Sequence, residues 1–200
     1  MLQAQSTVKD VDGNVYKIIT IGKQTWMAEN LKTSKYNDGT AIPYMADSTN
    51  SLEPTPAYYL YNNDIVNKSV YGVLYNWYVV STKKLCPTGW HVPTNEEWTT
   101  LTTVLGGENA AGGKLKETGT KHWNSPNTGA TNEIGFTALP GGYCSVFRAF
   151  EGIGSYGAWW SAMKYGDAGA YIRNVSYDNS KLQWNVPSKS CDYSVRCLKD

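Results

Sequence analysis

The sequence predicts an α+β fold, because segments typical of β-strands lie at both ends of the chain and segments typical of helices lie between them. Two observations carry this prediction: alternating apolar segments with turn residues near the amino terminus, and a helix-start signature in the middle of the chain. The chain has 200 residues, of which 41% are hydrophobic and 18% are charged. This composition is that of a globular protein long enough to bury a sizeable core.

The amino-terminal part predicts a small β-meander followed by a long loop. Residues 7–27 read TVKDVDGNVYKIITIGKQTWM, in which Asp12-Gly13 and Gly22-Lys23 are turn signals between alternating segments. From about residue 30 to residue 67 the chain is polar, contains prolines and has no period, which predicts a long ordered loop. The apolar segment YGVLYNWYVV at 71–80 fits a strand and a buried helix equally well.

The stretch GWHVPTNEEWTTL at 89–101 predicts the main helix. Thr94 and Glu97 have the spacing of a capping box, in which each side chain bonds the backbone N–H of the other residue. We therefore expect Glu97 to have a structural task and not a catalytic one. Gly106-Gly107 ends this helix, and a second short helix is expected at about 109–117. The apolar face of the main helix consists of Trp98, Leu101 and Leu105.

The carboxy-terminal part predicts a series of short strands. Its segments are rich in glycine, tyrosine and β-branched residues, which favour strands and turns. Asp178-Asn179-Ser180 reads as a hairpin turn between the third and fourth segments. The segments are FTALPGGY at 136–143, SYGAWWSA at 155–162, AYIRNVSY at 170–177, KLQWNV at 181–186 and YSVRCLKD at 193–200.

Charge and hydropathy exclude two classes of partner. Lys and Arg number 18 and Asp and Glu number 17, so the net charge is +1 and no attraction to nucleic acid or to an anionic membrane surface is expected. No apolar run approaches the roughly 18 residues that insert across a membrane. The 15 Tyr and 8 Trp residues, against 3 Phe, fit either a recognition surface or a β-rich core.

The four cysteines indicate export to an oxidising compartment, at the cell surface or outside the cell. Cys86, Cys144, Cys191 and Cys197 show no CxxC spacing, which favours disulfides over a zinc site. The residues alone leave three pairings open. The opening residues 1–6, which include LQAQ, are expected to be a signal-peptide remnant or a disordered start, followed by one domain.

No motif in the sequence predicts catalysis, a metal or a cofactor. There is no G-x-S-x-G elbow, phosphate-binding glycine loop or H-E-x-x-H motif, and two histidines cannot form a three-histidine metal site. His91 is expected to pack with a local hydrogen bond, and His122 to be exposed. Calcium is not supported, because triplets such as E-P-N are missing. A pair of acids such as Glu133 with Asp167 keeps a carbohydrate-active enzyme open as an alternative.

Seven motifs follow one another along the chain: DVDGNVY at 10–16, WMAENL at 26–31, KYNDGT at 35–40, YGxLYNW at 71–77, CPxGWHVPTxxEW at 86–98, GFxALPGGY at 135–143 and SVRCLKD at 194–200. In this order they resemble the Fibrobacter succinogenes major paralogous domain, which is found in exported proteins of Bacteroidetes and related bacteria. The resemblance covers about residues 8–200. It implies an exported protein.

The central and carboxy-terminal motifs also resemble the formylglycine-generating-enzyme branch of the C-type-lectin-like fold. This resemblance implies that residues 7–200 form a single C-type-lectin-like domain, with its ends brought together and one or two helices packed on small twisted antiparallel sheets. It also implies a disulfide from the first helix region to the last strand, which here is Cys86–Cys197. The paired-cysteine or copper-thiolate site of those enzymes finds no matching cysteines in this chain. We therefore expect a protein that is not an enzyme and has no cofactor.

Two departures from the family pattern each introduce a cysteine, in GGYC at 141–144 and in KSCDYSVRC at 189–197. They imply a second disulfide, Cys144–Cys191. They also fall where the lectin-like fold of diversified receptor-binding proteins carries its variable residues. The resemblance therefore implies an adhesion or receptor-binding domain, on a diversifiable scaffold, that recognises a protein or a glycan through its carboxy-terminal sheet. A structural module of a surface assembly is the other alternative.

The residues expected to contact a ligand combine aromatic rings with polar groups. Trp159 and Trp160 are excluded from this set, because their motif is structural and predicts core packing. Trp184 fits a core position and a surface position equally well. The candidate contact residues are Ser145, Phe147, Arg148, Tyr165, Asp167, Asn174, Gln183, Trp184 and Asn185.

Overall fold

The computed structural model describes residues 6–46 and 55–200, and within these ranges the chain has the predicted α+β fold. Residues 1–5 of the expected export remnant and residues 47–54 of the expected long loop lie outside the described residues. The helices are α1 (Ile65–Tyr71), α2 (Trp77–Ser81), α3 (Asn95–Val104) and α4 (Glu108–Leu115). The strands are β1 (Thr7–Lys9), β2 (Val15–Ile21), β3 (Gln24–Met27), β4 (Tyr58–Tyr59), β5 (Leu74–Asn76), β6 (Trp90–His91), β7 (Gly141–Cys144), β8 (Phe150–Ile153), β9 (Tyr156–Tyr165), β10 (Gly169–Ser176), β11 (Gln183–Asn185), β12 (Asp192–Tyr193) and β13 (Leu198–Lys199).

A five-stranded sheet in the order β1-β2-β3-β13-β6 brings the two ends of the chain together. Its first three strands are the predicted antiparallel meander. The last strand, β13, lies between β3 and β6, where Leu198 pairs with Trp26 on one side and with His91 on the other. The stretch that leads into the main helix is therefore bonded directly to the final residues of the sequence.

The other two sheets have the orders β4-β5-β12-β7-β8 and β11-β10-β9. The segment at 71–80, which fits a strand and a helix equally well, contains both: β5 runs directly into α2. Asn76 makes the switch, because its side chain accepts a hydrogen bond from the N–H of Val79 (3.2 Å) and so caps the helix. The apolar run is buried in both conformations, which is why its periodicity did not separate them.

The described part of the predicted long loop contains more regular structure than expected. It includes β4 and leads into α1, a helix that the sequence did not reveal. Asp64 begins α1, since its side chain accepts a hydrogen bond from the N–H of Val66 (2.8 Å). None of the α1 residues is buried, so this short helix packs no apolar face into the core.

The main helix α3 begins with the predicted capping box. The hydroxyl of Thr94 accepts a hydrogen bond from the N–H of Glu97 (3.2 Å), and the Glu97 carboxylate accepts one from the N–H of Thr94 (2.8 Å). The second predicted helix, α4, contains Gly112 and Gly113. A Cβ on Gly112 would lie 2.1 Å from the carbonyl oxygen of Lys181, so this glycine allows a close approach of two backbones.

The core between α3 and the sheets is built from large aromatic residues. Trp26 and Trp98 contact each other with ring centroids 4.7 Å apart, and Phe136 and Trp159 lie edge to face at 6.0 Å. Trp159 and Trp160 have no exposed surface, as their motif predicted. The three residues of the α3 apolar face are buried too: Trp98, Leu101 and Leu105.

The structure contains one of the two implied disulfides. Cys86 and Cys197 are bonded, which ties the segment before β6 to the residue that precedes the last strand. Cys144 and Cys191 are both free and buried, so the second implied pairing is not formed. In the register of β7 and β12 the residue opposite Cys144 is Asp192 and not Cys191. The two thiols pack in different apolar clusters.

Candidate functional site

The three-stranded carboxy-terminal sheet carries a row of three aromatic rings, which we name the aromatic ledge: Tyr165, Tyr171 and Trp184. The ring centroids of Tyr165 and Tyr171 are 5.5 Å apart, and those of Tyr171 and Trp184 are 5.9 Å apart. Tyr165 is 58% exposed and Trp184 is 51% exposed. Trp184 is therefore a surface residue and not a core residue.

A β-bulge places Tyr171 in the ledge. On β9 and β10, Lys164 pairs with Ala170 and Trp160 pairs with Ile172, so residues 161–163 stand opposite Tyr171 alone. Such a bulge bends its strand and re-aims the neighbouring side chains. A hydrogen bond fixes the bulge in place: the N–H of Ala162 donates to the carbonyl of Pro93 (2.8 Å), two residues before α3.

Arg173 fixes the strand that carries Tyr171, on the same face of the sheet as Trp184. It lies opposite Trp184 in the register of β10 and β11, and its side chain is buried. Its guanidinium donates to the Asn95 side chain (2.9 Å) and to the Thr99 hydroxyl (3.0 Å), both on α3. Burial lowers the pKa of this guanidinium. The opening turn of α3 therefore supports the strand that carries Tyr171.

The turn between β9 and β10 is tied down by a buried lysine. The Lys189 ammonium donates to the carbonyls of Gly166 (3.2 Å) and Asp167 (2.5 Å) and lies over the Trp77 ring, 5.0 Å from its centroid. Asp167 is exposed at this turn, two residues after Tyr165. The turn therefore presents a ring and a carboxylate from a backbone that is fixed at both carbonyls.

The predicted contact residues on the carboxy-terminal sheet are exposed, with one exception. Asn174 is only 2% exposed, and its side-chain oxygen accepts a hydrogen bond from the Asn185 amide (3.1 Å). Because it is buried and bonded to Asn185, the Asn174 side chain does not present a surface for a ligand. The exposed residues of the set on this sheet and its turn are Tyr165, Asp167, Gln183, Trp184 and Asn185.

The other predicted contacts lie in the turn between β7 and β8. Phe147 is 90% exposed, and Ser145 is half-buried. Arg148 differs from the prediction, because its guanidinium turns inward and donates to the buried Asp192 carboxylate (2.9 Å). Burial raises the pKa of Asp192 well above 3.8, although Arg148 lowers it. Arg148 therefore acts as the counter-ion of a buried acid.

The opposite face of the carboxy-terminal sheet borders a pocket of about 560 Å³, which we name the tyrosine pocket. Ile172 and Asn185, which pair across β10 and β11, point into it, whereas Trp184 points to the ledge face. The remaining lining includes Tyr143, Glu151, Tyr156 and Tyr193. Neither this pocket nor Tyr171 was predicted from the sequence, because tyrosines inside strand motifs give no signal that separates a pocket wall from a core residue.

The histidines have structural partners. His91 bonds the Asp200 carboxylate through Nδ1 (2.6 Å) and the Glu97 carboxylate through Nε2 (3.0 Å), so its local bonding is as predicted. His122 differs from the prediction: its side chain is 18% exposed and bonds Glu117 (2.8 Å). Burial alone lowers the pKa of His91, but its bonds to Asp200 and Glu97 outweigh this effect and raise the pKa above 6.5.

The raised pKa of His91 predicts a loss of stability with rising pH. A histidine whose folded-state pKa exceeds the ordinary value contributes fully below about pH 6.5 and loses that contribution as the pH rises through the folded-state pKa. Because the ring is about a third exposed, the contribution is at most about 1 kcal/mol. We expect wild type to exceed a His91→Gln variant in melting temperature by more at pH 5.5 than at pH 8.5. An equal difference at both pH values would contradict this.

The described residues offer no metal centre and no membrane span. Within residues 6–46 and 55–200, no three His, Cys, Asp or Glu side chains come close enough together to hold a metal ion. In the same ranges no helix has the length and apolar character needed to cross a bilayer.

Comparison with known proteins identifies the family. The family model described as the Fibrobacter succinogenes major domain matches residues 19–199. The chain belongs to this family. No curated protein and no solved structure matches it.

The Fibrobacter succinogenes major domain of this chain includes every feature of the site. The match begins inside β2 and ends inside β13, so the aromatic ledge, the tyrosine pocket and the Cys86–Cys197 disulfide all lie within it. The membership supports the resemblance drawn from the motifs. It gives the chain a family and leaves its activity to be argued from the geometry.

Proposed function

We propose that this domain is a non-catalytic, exported binding module of C-type-lectin-like architecture, at the cell surface or outside the cell. Its task is adhesion or receptor binding, and its ligand is a protein or a glycan that contacts the carboxy-terminal sheet and its turns. The observation that carries the proposal is the aromatic ledge. Three rings in one row, two of them more than half exposed, form an apolar contact surface on a rigid support.

The chemistry of the ledge suits recognition. Tyrosine and tryptophan bury a large area with few rotatable bonds, so they lose little conformational entropy on binding and are frequent in binding hot spots. The strand and the turn that carry the rings are already ordered, because Arg173 fixes the strand and Lys189 fixes the turn. A preorganised surface spends less of its binding free energy on ordering. The exposed Asp167 carboxylate beside Tyr165 supplies a hydrogen-bonding group at the rim.

Several groups that an enzyme would use are engaged elsewhere, which favours binding without turnover. Glu133, a member of the acid pair kept open by the sequence, pairs with Lys114 (3.0 Å). Glu97 is held in the capping box and by His91. Burial raises the pKa of the Cys144 thiol to about 12, so it is not a thiolate at neutral pH.

Truncation of the largest ring of the aromatic ledge tests this proposal. A Trp184→Ala variant is expected to lose at least tenfold in affinity, because it removes a ring of the size found in binding hot spots. The melting temperature should change by no more than about 2 °C, since the side chain is half exposed. A glycan array and a library of surface proteins would provide the ligand, and biolayer interferometry would give the dissociation constants.

Two further variants make the test specific. Val66→Ala removes another exposed apolar side chain, on α1, and should bind as wild type does. Phe147→Ala probes the turn between β7 and β8. Loss of binding in Phe147→Ala together with full binding in Trp184→Ala would place recognition on that turn and would contradict the assignment to the ledge.

A further inference from the structure

The tyrosine pocket contains a single charged side chain. Among the described residues, its lining includes Glu151 and no lysine, arginine or histidine. The Glu151 carboxylate accepts a hydrogen bond from the Tyr143 hydroxyl (2.9 Å), and no ion pair within residues 6–46 and 55–200 includes it. The pocket therefore has an acceptor with negative charge and no cation to balance it.

The tyrosines add ring faces and no further charge. Burial, together with the bond to Glu151, raises the pKa of Tyr143 to about 12, and burial raises the pKa of Tyr156 to about 12. Both hydroxyls are thus protonated at neutral pH. The faces of neutral aromatic rings carry partial negative charge, so the rings and the carboxylate both favour a positively charged ligand.

The rings of the pocket form a corner. Tyr143 and Tyr156 meet at 66° with centroids 5.7 Å apart, and the buried Tyr193 packs parallel behind Tyr143 at 5.3 Å. Gly152 makes this approach feasible, because a Cβ there would lie 2.9 Å from the Cβ of Tyr156. The β7–β8 hairpin can therefore place Glu151 beside two ring walls that belong to different sheets.

We propose that the tyrosine pocket binds the alkylammonium group of a ligand, with Glu151 as the counter-ion and Tyr143 and Tyr156 as the ring walls. A cation gains from the carboxylate and from the ring faces together. A neutral ligand would displace water from the Glu151 carboxylate and replace it only with hydrogen bonds, which compensate the loss of hydration of a charged group less well than a cation does. An anionic ligand, such as a phosphate or an acidic sugar, would be repelled.

This site is separate from the aromatic ledge, because it lies on the other face of the carboxy-terminal sheet. An alkylammonium group has two sources: a free small molecule such as choline, or a methylated lysine side chain of another protein. Both present the same cation to the pocket, and the test includes an arm for each.

The decisive experiment compares choline with 3,3-dimethylbutan-1-ol, its neutral analogue of the same shape, by NMR titration of the wild-type chain. Choline is expected to bind saturably, with chemical-shift changes at Tyr143, Glu151 and Tyr156, and at least tenfold tighter than the neutral alcohol. A second arm compares a short peptide that contains trimethylated lysine with the unmodified peptide. Tighter binding of the trimethylated peptide than of choline would assign the site to a protein ligand.

Variants connect the cation to the carboxylate. Glu151→Gln keeps the shape of the side chain and is expected to weaken choline binding at least tenfold, whereas Glu133→Gln removes an acid outside the pocket and should have no effect. None of the titrated groups or changed residues belongs to the aromatic ledge, so failure of the ledge proposal would not affect this result. Equal binding of choline and the alcohol, no binding of either, or binding of methyl glycosides in place of choline would overturn the proposal. The wild-type comparison decides this even if a variant does not fold.

Discussion

Removal of the Cys86–Cys197 disulfide by the double change Cys86→Ala and Cys197→Ala is expected to lower the free energy of unfolding by about 4–5 kcal/mol. The two cysteines are 111 residues apart, so the crosslink restricts a very large loop in the unfolded chain. For a protein of this size the melting temperature should fall by about 10–15 °C. Thermal unfolding followed by circular dichroism would measure both quantities.

A reducing agent provides the matched control. Tris(2-carboxyethyl)phosphine should lower the melting temperature of wild type toward that of the double variant and should leave the double variant unchanged. The free thiols Cys144 and Cys191 are present in both proteins, so their chemistry cancels in this comparison. A double variant as stable as oxidised wild type would show that the crosslink does not limit the unfolded chain.

An Arg196→Met variant is expected to lose about 3–5 kcal/mol of stability. The guanidinium is almost fully buried, stacks on Phe136 and Trp159, and donates to the Asn30 side chain (2.8 Å) and to the carbonyls of Phe136 and Thr137. Methionine fills similar space but leaves buried acceptors without donors, at about 1–3 kcal/mol each. Burial lowers the pKa of Arg196 to about 9, which reflects the unfavourable desolvation that these bonds offset.

Substitution by lysine separates charge from bonding. Arg196→Lys keeps a cation but lacks the planar fork that reaches several acceptors at once, so it should recover only part of the loss. Chemical denaturation of the three proteins would give the free energies. Equal stability of Arg196→Met and wild type would mean that the desolvation of the guanidinium cancels its hydrogen bonds, as it can for buried ions.

The elements that short local patterns encode could be predicted from the sequence. The capping box of α3 depends on two residues three positions apart, and the meander depends on turn residues between alternating segments. Both appear in the structure as predicted. The Cys86–Cys197 bond and the meeting of the chain ends came from the family resemblance and not from local physics.

The predictions that were wrong concern residues whose positions depend on strand register or on burial in the folded chain. A single register, with Cys144 opposite Asp192, separates the two cysteines whose joint appearance implied a bond. Asn174 and Arg148 are polar residues that the fold buries with partners distant in sequence. The tyrosine pocket depends on residues of six strands from two sheets, a juxtaposition that no single segment reveals. The aromatic ledge was predicted in part, since Tyr165 and Trp184 were named and Tyr171 was not.

The central claim is that the domain binds a ligand at the aromatic ledge and does not transform it. The most direct measurement is isothermal titration of the ligand found by array screening into wild type and Trp184→Ala, followed by mass spectrometry of the recovered ligand. We predict saturable binding to wild type with one ligand per chain, at least tenfold weaker binding to the variant, and recovery of the ligand unchanged. A chemically altered ligand, or equal affinity for both proteins, would contradict the account.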